Sequence, residues 1–156
     1  MRTEQTLTFR LATENDLVTI VTMLADDSLG ATRESITLPL SERYTNAFQR
    51  IAEDPNQELT LAELNGEIVG TFQLTFIQYL THQGGLRAQI EAVRVHSAYR
   101  GMGIGAAMFR YALERAKEKG CYMVQLTTDK QRPDAIRFYE SLGFVSTHEG
   151  MKLKLR

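Results

Sequence analysis

The residue types best suited to chemistry fall in one stretch, Val93 to Gly105, where Arg100 precedes glycines at positions 101, 103 and 105. An apolar run with strand character ends near His96, and a helical pattern follows at once, with Ile104, Ala107, Met108 and Tyr111 on one face. A strand, a glycine turn and a helix start make an anion site. The first N–H groups of a helix have no internal partner, and the helix dipole favours negative charge there. Glycine lets a phosphate approach the backbone. The other reading of such a turn is tight packing alone. The dinucleotide fingerprint fails, because the spacing is Gly101-x-Gly103-x-Gly105 and Gln125 stands near the expected acidic position. The nucleotide-triphosphate loop fails too, because Ala106-Ala107 follows Gly105. A second candidate is Glu91. Strict strand alternation puts Glu91, Val93 and Val95 on one face, where a buried carboxylate needs a task or a partner such as Arg87 or Arg137.

The elements that must position these groups are legible in order. Leu7, Phe9 and Leu11 alternate as a first strand, and Thr13-Glu14-Asn15-Asp16 resembles a capping box ahead of the helix stripe Leu17, Ile20, Val21 and Leu24. Leu40, Tyr44, Ala47, Phe48 and Ile51 predict a second helix, stopped by Asp54-Pro55-Asn56. A strand near Leu59 to Leu64 turns at Asn65-Gly66 into a strand from Ile68 towards Tyr79, with Phe72, Leu74 and Phe76 on one face. After a turn at Thr81 to Gly85, Leu86 to Val95 returns as the fourth strand. The helix behind the glycines ends at Gly120, Tyr122 to Thr128 makes a fifth strand, and Pro133 opens a last helix closed by Gly143. Two final strands are expected at 144–147 and 151–155. The fold class is α/β of the α+β type. Its mixed sheet is antiparallel through its hairpins, with one parallel step across the glycine-led helix.

The 156 residues suit one domain, 1–156, and the formal net charge of −1 shows no basic run to suit a nucleic-acid partner. The single Cys121 cannot form an internal disulfide, and it starts an apolar strand, so it is read as a core residue. Met1 to Gln5 lead into no apolar run, and no stretch has the length to cross a bilayer, so a cytoplasmic protein without membrane association is expected. His96 and His148 lack metal-ligand spacing, and no metal is expected.

Arg100-x-x-Gly103-x-Gly105 resembles the Q/R-x-x-G-x-G/A signature of the GNAT superfamily of acyl-CoA-dependent N-acyltransferases. Ile90 to Val95 is similar to that family's central strand, and Ala135 to Phe144 to its second block. The resemblance implies the GNAT fold, with about six to seven strands and about four helices, and acetyl-CoA as cosubstrate. It implies that the backbone of Val93, Arg94 and Val95 pairs with the pantetheine arm. Amides of Gly101, Met102, Gly103, Ile104, Gly105 and Ala106 would wrap the pyrophosphate, with Arg100 nearby. It makes Tyr139 the general acid for the leaving thiolate, since a phenol with a reference pKa of about 10 keeps its proton at neutral pH. The other reading of Tyr139 is a helix-stripe residue beside Ala135 and Leu142. Glu91 becomes the base that deprotonates the incoming ammonium. Many members carry an asparagine seven residues before the tyrosine; here Arg132 stands there, in a run from Lys130 to Ala135 that looks like a subgroup including aminoalkylphosphonate acetyltransferases. Arg132 would contact the cofactor, contact an anionic substrate or cap the helix. Asp27, Arg33, Tyr79, Arg87 and Thr128 are the candidate substrate contacts, with Asp26 and Asp27 suited to an ammonium and Arg33 and Arg87 to a phosphonate or carboxylate; a solvated loop charge is the other reading of each charged one. The implied activity is N-acetyl transfer to a primary amine of a small molecule, by direct attack in a ternary complex. The competing readings are a non-catalytic acyl-CoA sensor and a protein or peptide N-acetyltransferase. A homodimer is expected from the family.

Overall fold

A computed structural model describes residues 6–156; Met1 to Gln5 lie outside the described residues. The chain divides after Gln125 into two compact units, Met1–Gln125 and Leu126–Arg156.

The first unit is built on a five-stranded sheet in the order β1-β2-β3-β4-β5. Its strands are β1 (Leu7–Leu11), β2 (Gln57–Leu64), β3 (Glu67–Gln78), β4 (Leu86–Val95) and β5 (Met123–Gln125). The first four are antiparallel neighbours, and β5 lies parallel to β4. The hairpin at Asn65-Gly66 forms as its sequence requires: both residues have positive φ, 53° and 83°, as a tight turn matched to strand twist needs. The single-turn element α3 (Thr81–Gly84) joins β3 to β4, with His82 and Gln83 left-handed inside it.

Helix α4 (Ile104–Glu118) packs on the sheet face made by Phe72, Leu74 and Phe76. Met108 and Phe109 are buried there, and Tyr111 stacks on Phe9 at 4.3 Å. Helix α1 (Leu17–Ala25) contacts β3 and β4 and buries Leu17, Ile20, Val21 and Met23. Arg10 and the capping box fix its start. The Thr13 backbone N–H donates to Asp16 Oδ2 at 2.7 Å, and Arg10 pairs with Asp16 and Glu63, both at 2.8 Å. The Arg10 guanidinium holds the Asp16 carboxyl down at about 2. Helix α2 (Glu42–Glu53) has no buried residue and contacts β2; its Tyr44 hydroxyl donates to Glu34 at 2.7 Å.

The second unit carries α5 (Pro133–Ser141), with proline in its first turn and Gly143 at φ 94° just past its end. Two sequence expectations need correction. The fifth strand stops at Gln125 instead of reaching Thr128, and residues 144–156 form no strand. Alternating Met151, Leu153 and Leu155 specify an extended segment with one apolar side. They do not supply the ladder partner that makes a strand, and all three are exposed. The sheet therefore has five strands where six to seven were expected.

Candidate active site

Two irregularities of β4 create the site. The first is a bulge. Gln73 lies opposite Glu91 and Thr71 opposite Arg94, so Ala92 and Val93 together face the single residue Phe72. Ala92 takes φ 53° to make it; such a conformation costs a non-glycine residue about 1–2 kcal/mol and is found where function demands it. The bulge corrects the alternation argument. Residues directly opposite share a face, so Glu91 shares its face with Arg94, not with Val93 and Val95. Glu91 is also exposed rather than buried, and the premise that burial demands a task falls with it. Its carboxylate accepts from Gln89 Nε2 at 3.0 Å. Of the two arginines expected as its partners, Arg87 bonds Tyr122 and Gln125 instead, while Arg137, in the second unit, pairs with Asp134.

The second irregularity is a parting of strands. β4 pairs with β5 only at Arg87, Ala88 and Gln89. Beyond Gln89 that edge of β4 has no ladder partner among the described residues. An open edge with free backbone groups accepts an extended ligand as an added strand. The Val93 and Val95 carbonyls each accept a guanidinium bond, from Arg94 at 2.9 Å and Arg100 at 3.2 Å. A carbonyl oxygen has a second lone pair, so both retain capacity for a ligand.

The open edge leads to the glycine turn. Gly103 is the N-cap of α4 at φ 78° and ψ 6°, and Gly101 has φ 77°. The first-turn N–H groups of α4 at Ile104, Gly105 and Ala106 have no partner within the helix. A Cβ built on Gly101 or Gly103 would meet nothing within 4 Å. Packing therefore does not demand glycine here, whereas at Gly70 a Cβ would meet Met108 Sδ at 2.7 Å. Unpartnered N–H groups at a helix start, next to glycines with open space around them, can hold a diphosphate, and an open strand edge can take an extended arm. Met102 is exposed beside the turn.

The acidic residues expected to draw an ammonium are already engaged. Asp27 pairs with Arg94 at 3.2 Å, and Asp26 with Arg100 at 3.6 Å, while Arg100 also donates to the Asp26 carbonyl at 3.1 Å. The end of α1 is thus tied to β4 and to the start of the glycine turn. Arg33 is exposed with no side-chain partner among the described residues. Tyr79 stacks on Arg87 at 4.5 Å. Burial pushes the Cys121 thiol up, away from thiolate reactivity.

Sequence reasoning missed Gln89, Gln125 and Tyr122. Gln125 Nε2 donates to Gln89 Oε1 at 2.9 Å, and Arg87 donates to Gln125 Oε1 at 3.3 Å and to the Tyr122 hydroxyl at 2.5 Å. Alternation along Arg87-x-Gln89-x-Glu91 marks a polar face, but the β5 partners depend on parallel register, which has no local signal.

Tyr139 and Arg132 lie in the second unit with Thr128. Tyr139 packs among Phe138 at 5.7 Å and Phe144 at 6.3 Å. Arg132 is the N-cap of α5, and its carbonyl accepts from Ala135 at 3.1 Å and Ile136 at 3.3 Å.

The acetyltransferase (GNAT) family model matches residues 23–144. Aminoalkylphosphonate N-acetyltransferase of Salmonella typhimurium is 32% identical over 107 residues, covering 69% of each chain. A solved structure from Bacillus halodurans, described as a transcriptional regulator, is 56% identical, with a TM-score of 0.93 over 96% of this chain and 100% of that one. A putative acetyltransferase from Agrobacterium tumefaciens is 30% identical, with a TM-score of 0.82 over 94% and 99%. The chain belongs to the acetyltransferase (GNAT) family and is an enzyme of acetyl transfer.

Proposed function

We propose that the enzyme moves the acetyl group of acetyl-CoA to a primary amine of a small molecule, by direct attack in a ternary complex. The observation that carries this reading is the open edge of β4 running from the bulge at Ala92 to the unfilled turn at Gly101 and Gly103. Bound acetyl-CoA supplies an activated acetyl group and a thiol leaving group. In this reading the α4 N-terminal amides and Arg100 hold the pyrophosphate, and the Val93 to Val95 backbone orients the arm. Glu91, exposed and without an ion pair among the described residues, takes the proton of the incoming ammonium. Tyr139 gives its phenolic proton to the departing sulfur. The small-molecule acceptor is supported by the Salmonella relative, named for aminoalkylphosphonates, and by glucosamine 6-phosphate N-acetyltransferase of Trypanosoma brucei brucei, 37% identical over 90 residues. A duplex-binding role draws no support from α4, whose Arg115 and Lys117 are matched by Glu58, Glu118 and Glu114. A homodimer belongs to the same proposal, and light scattering measures it.

Thiol release from acetyl-CoA across a small-amine panel tests the activity. Tyr139→Phe is expected to lower kcat by about a hundredfold or more; an unchanged kcat removes the general-acid role. Glu91→Gln is expected to abolish the acidic limb of the pH–rate profile, and an unaltered profile removes the base.

A further inference from the structure

Arg87 is set apart by its surroundings. Among the described residues of the first unit, the half-buried arginines are Arg10, Arg87, Arg94 and Arg115. Three meet a carboxylate: Arg10 meets Asp16 and Glu63, Arg94 meets Asp27, and Arg115 meets Glu58. Arg87 meets none. It is nevertheless held firmly, by neutral groups. Its guanidinium lies over the Tyr79 ring at 4.5 Å and near the Tyr122 ring at 5.6 Å. It donates to the Tyr122 hydroxyl at 2.5 Å and to Gln125 Oε1 at 3.3 Å. Aromatic faces and neutral oxygens fix a cation without neutralising it. A guanidinium has five N–H donors. Two are engaged here, and the rest form a fork suited to a bidentate anion.

The surroundings are built to keep it so. A Cβ on Gly85 would meet the Tyr122 ring at 2.5 Å, so glycine at that position lets the ring lie where it does. His82, left-handed at φ 53°, puts its own ring 5.1 Å from that of Tyr122.

Position along β4 supplies the second argument. Arg87, Gln89 and Glu91 precede the bulge and share one face. Their hydrogen bonds run one way, from Arg87 to Gln125, from Gln125 to Gln89 and from Gln89 to Glu91. A guanidinium closes one end of this chain and a carboxylate the other. Four residue steps along the strand separate the ends by about 13 Å. The glycine turn lies beyond the C-terminal end of β4, so Arg87 stands at the end away from the cofactor.

We propose that Arg87 anchors an acidic group of the acceptor, so that the acceptor is an amine bearing a phosphate, phosphonate or carboxylate at its far end. The proposal rests on acetyl transfer to a small amine, with the ammonium at Glu91 and the anion at Arg87. The experiment measures kcat/KM for matched pairs of acceptors: ω-aminoalkanoates and aminoalkyl phosphates of graded length against alkylamines of equal length. The wild type is expected to prefer the anionic member. Arg87→Gln is expected to lower that preference about 10- to 100-fold, the worth of a charge-assisted pair, and Arg87→Lys to restore part of it. Equal use of both members by the wild type, or an unchanged preference in Arg87→Gln, overturns the proposal. If no amine releases thiol, acetyl transfer to small amines is what fails. Calorimetry of an aminoalkyl phosphate titrated into CoA-saturated protein then decides the anchor. Heat in the wild type that is lost in Arg87→Gln supports it, and no heat, or equal heat in both, overturns it.

Discussion

Replacing Gly103 by alanine separates a cradle for a ligand from a turn that only packs. The added methyl meets no heavy atom within 4 Å, so the folded protein bears only the cost of a left-handed alanine at φ 78°, about 1–2 kcal/mol. For a chain of this size that lowers Tm by about 2–8 °C. In the cradle reading that methyl intrudes on a diphosphate held by the adjoining α4 amides, and the Kd for acetyl-CoA is expected to rise at least about tenfold, or about 1.4 kcal/mol. Gly70→Ala is the control with the opposite profile. Its Cβ would press on Met108 Sδ at 2.7 Å and on the Arg94 carbonyl at 3.1 Å, so it costs stability through packing and leaves the cradle open. Thermal denaturation and calorimetric titration of both variants read the two quantities independently. An acetyl-CoA affinity in Gly103→Ala within about twofold of the wild type refutes the cradle and leaves the glycines to the left-handed geometry of the turn.

Asp16→Asn tests the start of α1. The carboxyl is held at about 2 against an ordinary 3.8, so its folded-state pKa is depressed. The stabilisation is present above about pH 4 and is lost as pH falls through about 2. The shift corresponds to about 2 kcal/mol, which urea denaturation should show as a deficit at neutral pH that closes in acid; a deficit independent of pH would contradict the ion pair. For the other end of α1, a double-mutant cycle of Asp27→Asn and Arg94→Gln is expected to give a coupling of about 1 kcal/mol or more. Strict additivity would mean that this pair does not tie α1 to β4.

Much of the frame could be read from local chemistry. Asn65-Gly66 declared a hairpin because few residue pairs accept two positive φ angles, and Gly103 followed by the Ile104 stripe declared a helix start behind a turn. The bulge was invisible because its left-handed residue is Ala92, and alanine carries no mark of that conformation. The count of alternate residues across it therefore gave Glu91 the wrong neighbours. Asp26 and Asp27 looked like solvated loop charges because their partners, Arg94 and Arg100, are distant in sequence. The polar chain from Arg87 to Glu91 needs Gln125, which only the parallel register of β5 brings alongside. The last two strands were misjudged because alternation reports which side of a segment is apolar, and not whether a ladder partner exists.

The extra residue in β4 also sets the reading frame of its side chains. Before Ala92 the odd-numbered residues lie on the face of Gln73; after it, an even-numbered residue, Arg94, lies on that face opposite Thr71. The strand is therefore two half-strands in opposite phase. One half presents Arg87, Gln89 and Glu91; the other sends Val95 towards Gly70 and keeps Arg94 with Asp27. Deleting a single residue at the join would bring the halves into one phase. Arg94 would keep its place opposite Thr71 and the face of Asp27, and Val95 its place opposite Gly70; it is straightening the strand with Ala92 retained that would exchange the two faces. One inserted alanine gives a single strand a run of polar side chains at one end and Val95 facing Gly70 at the other.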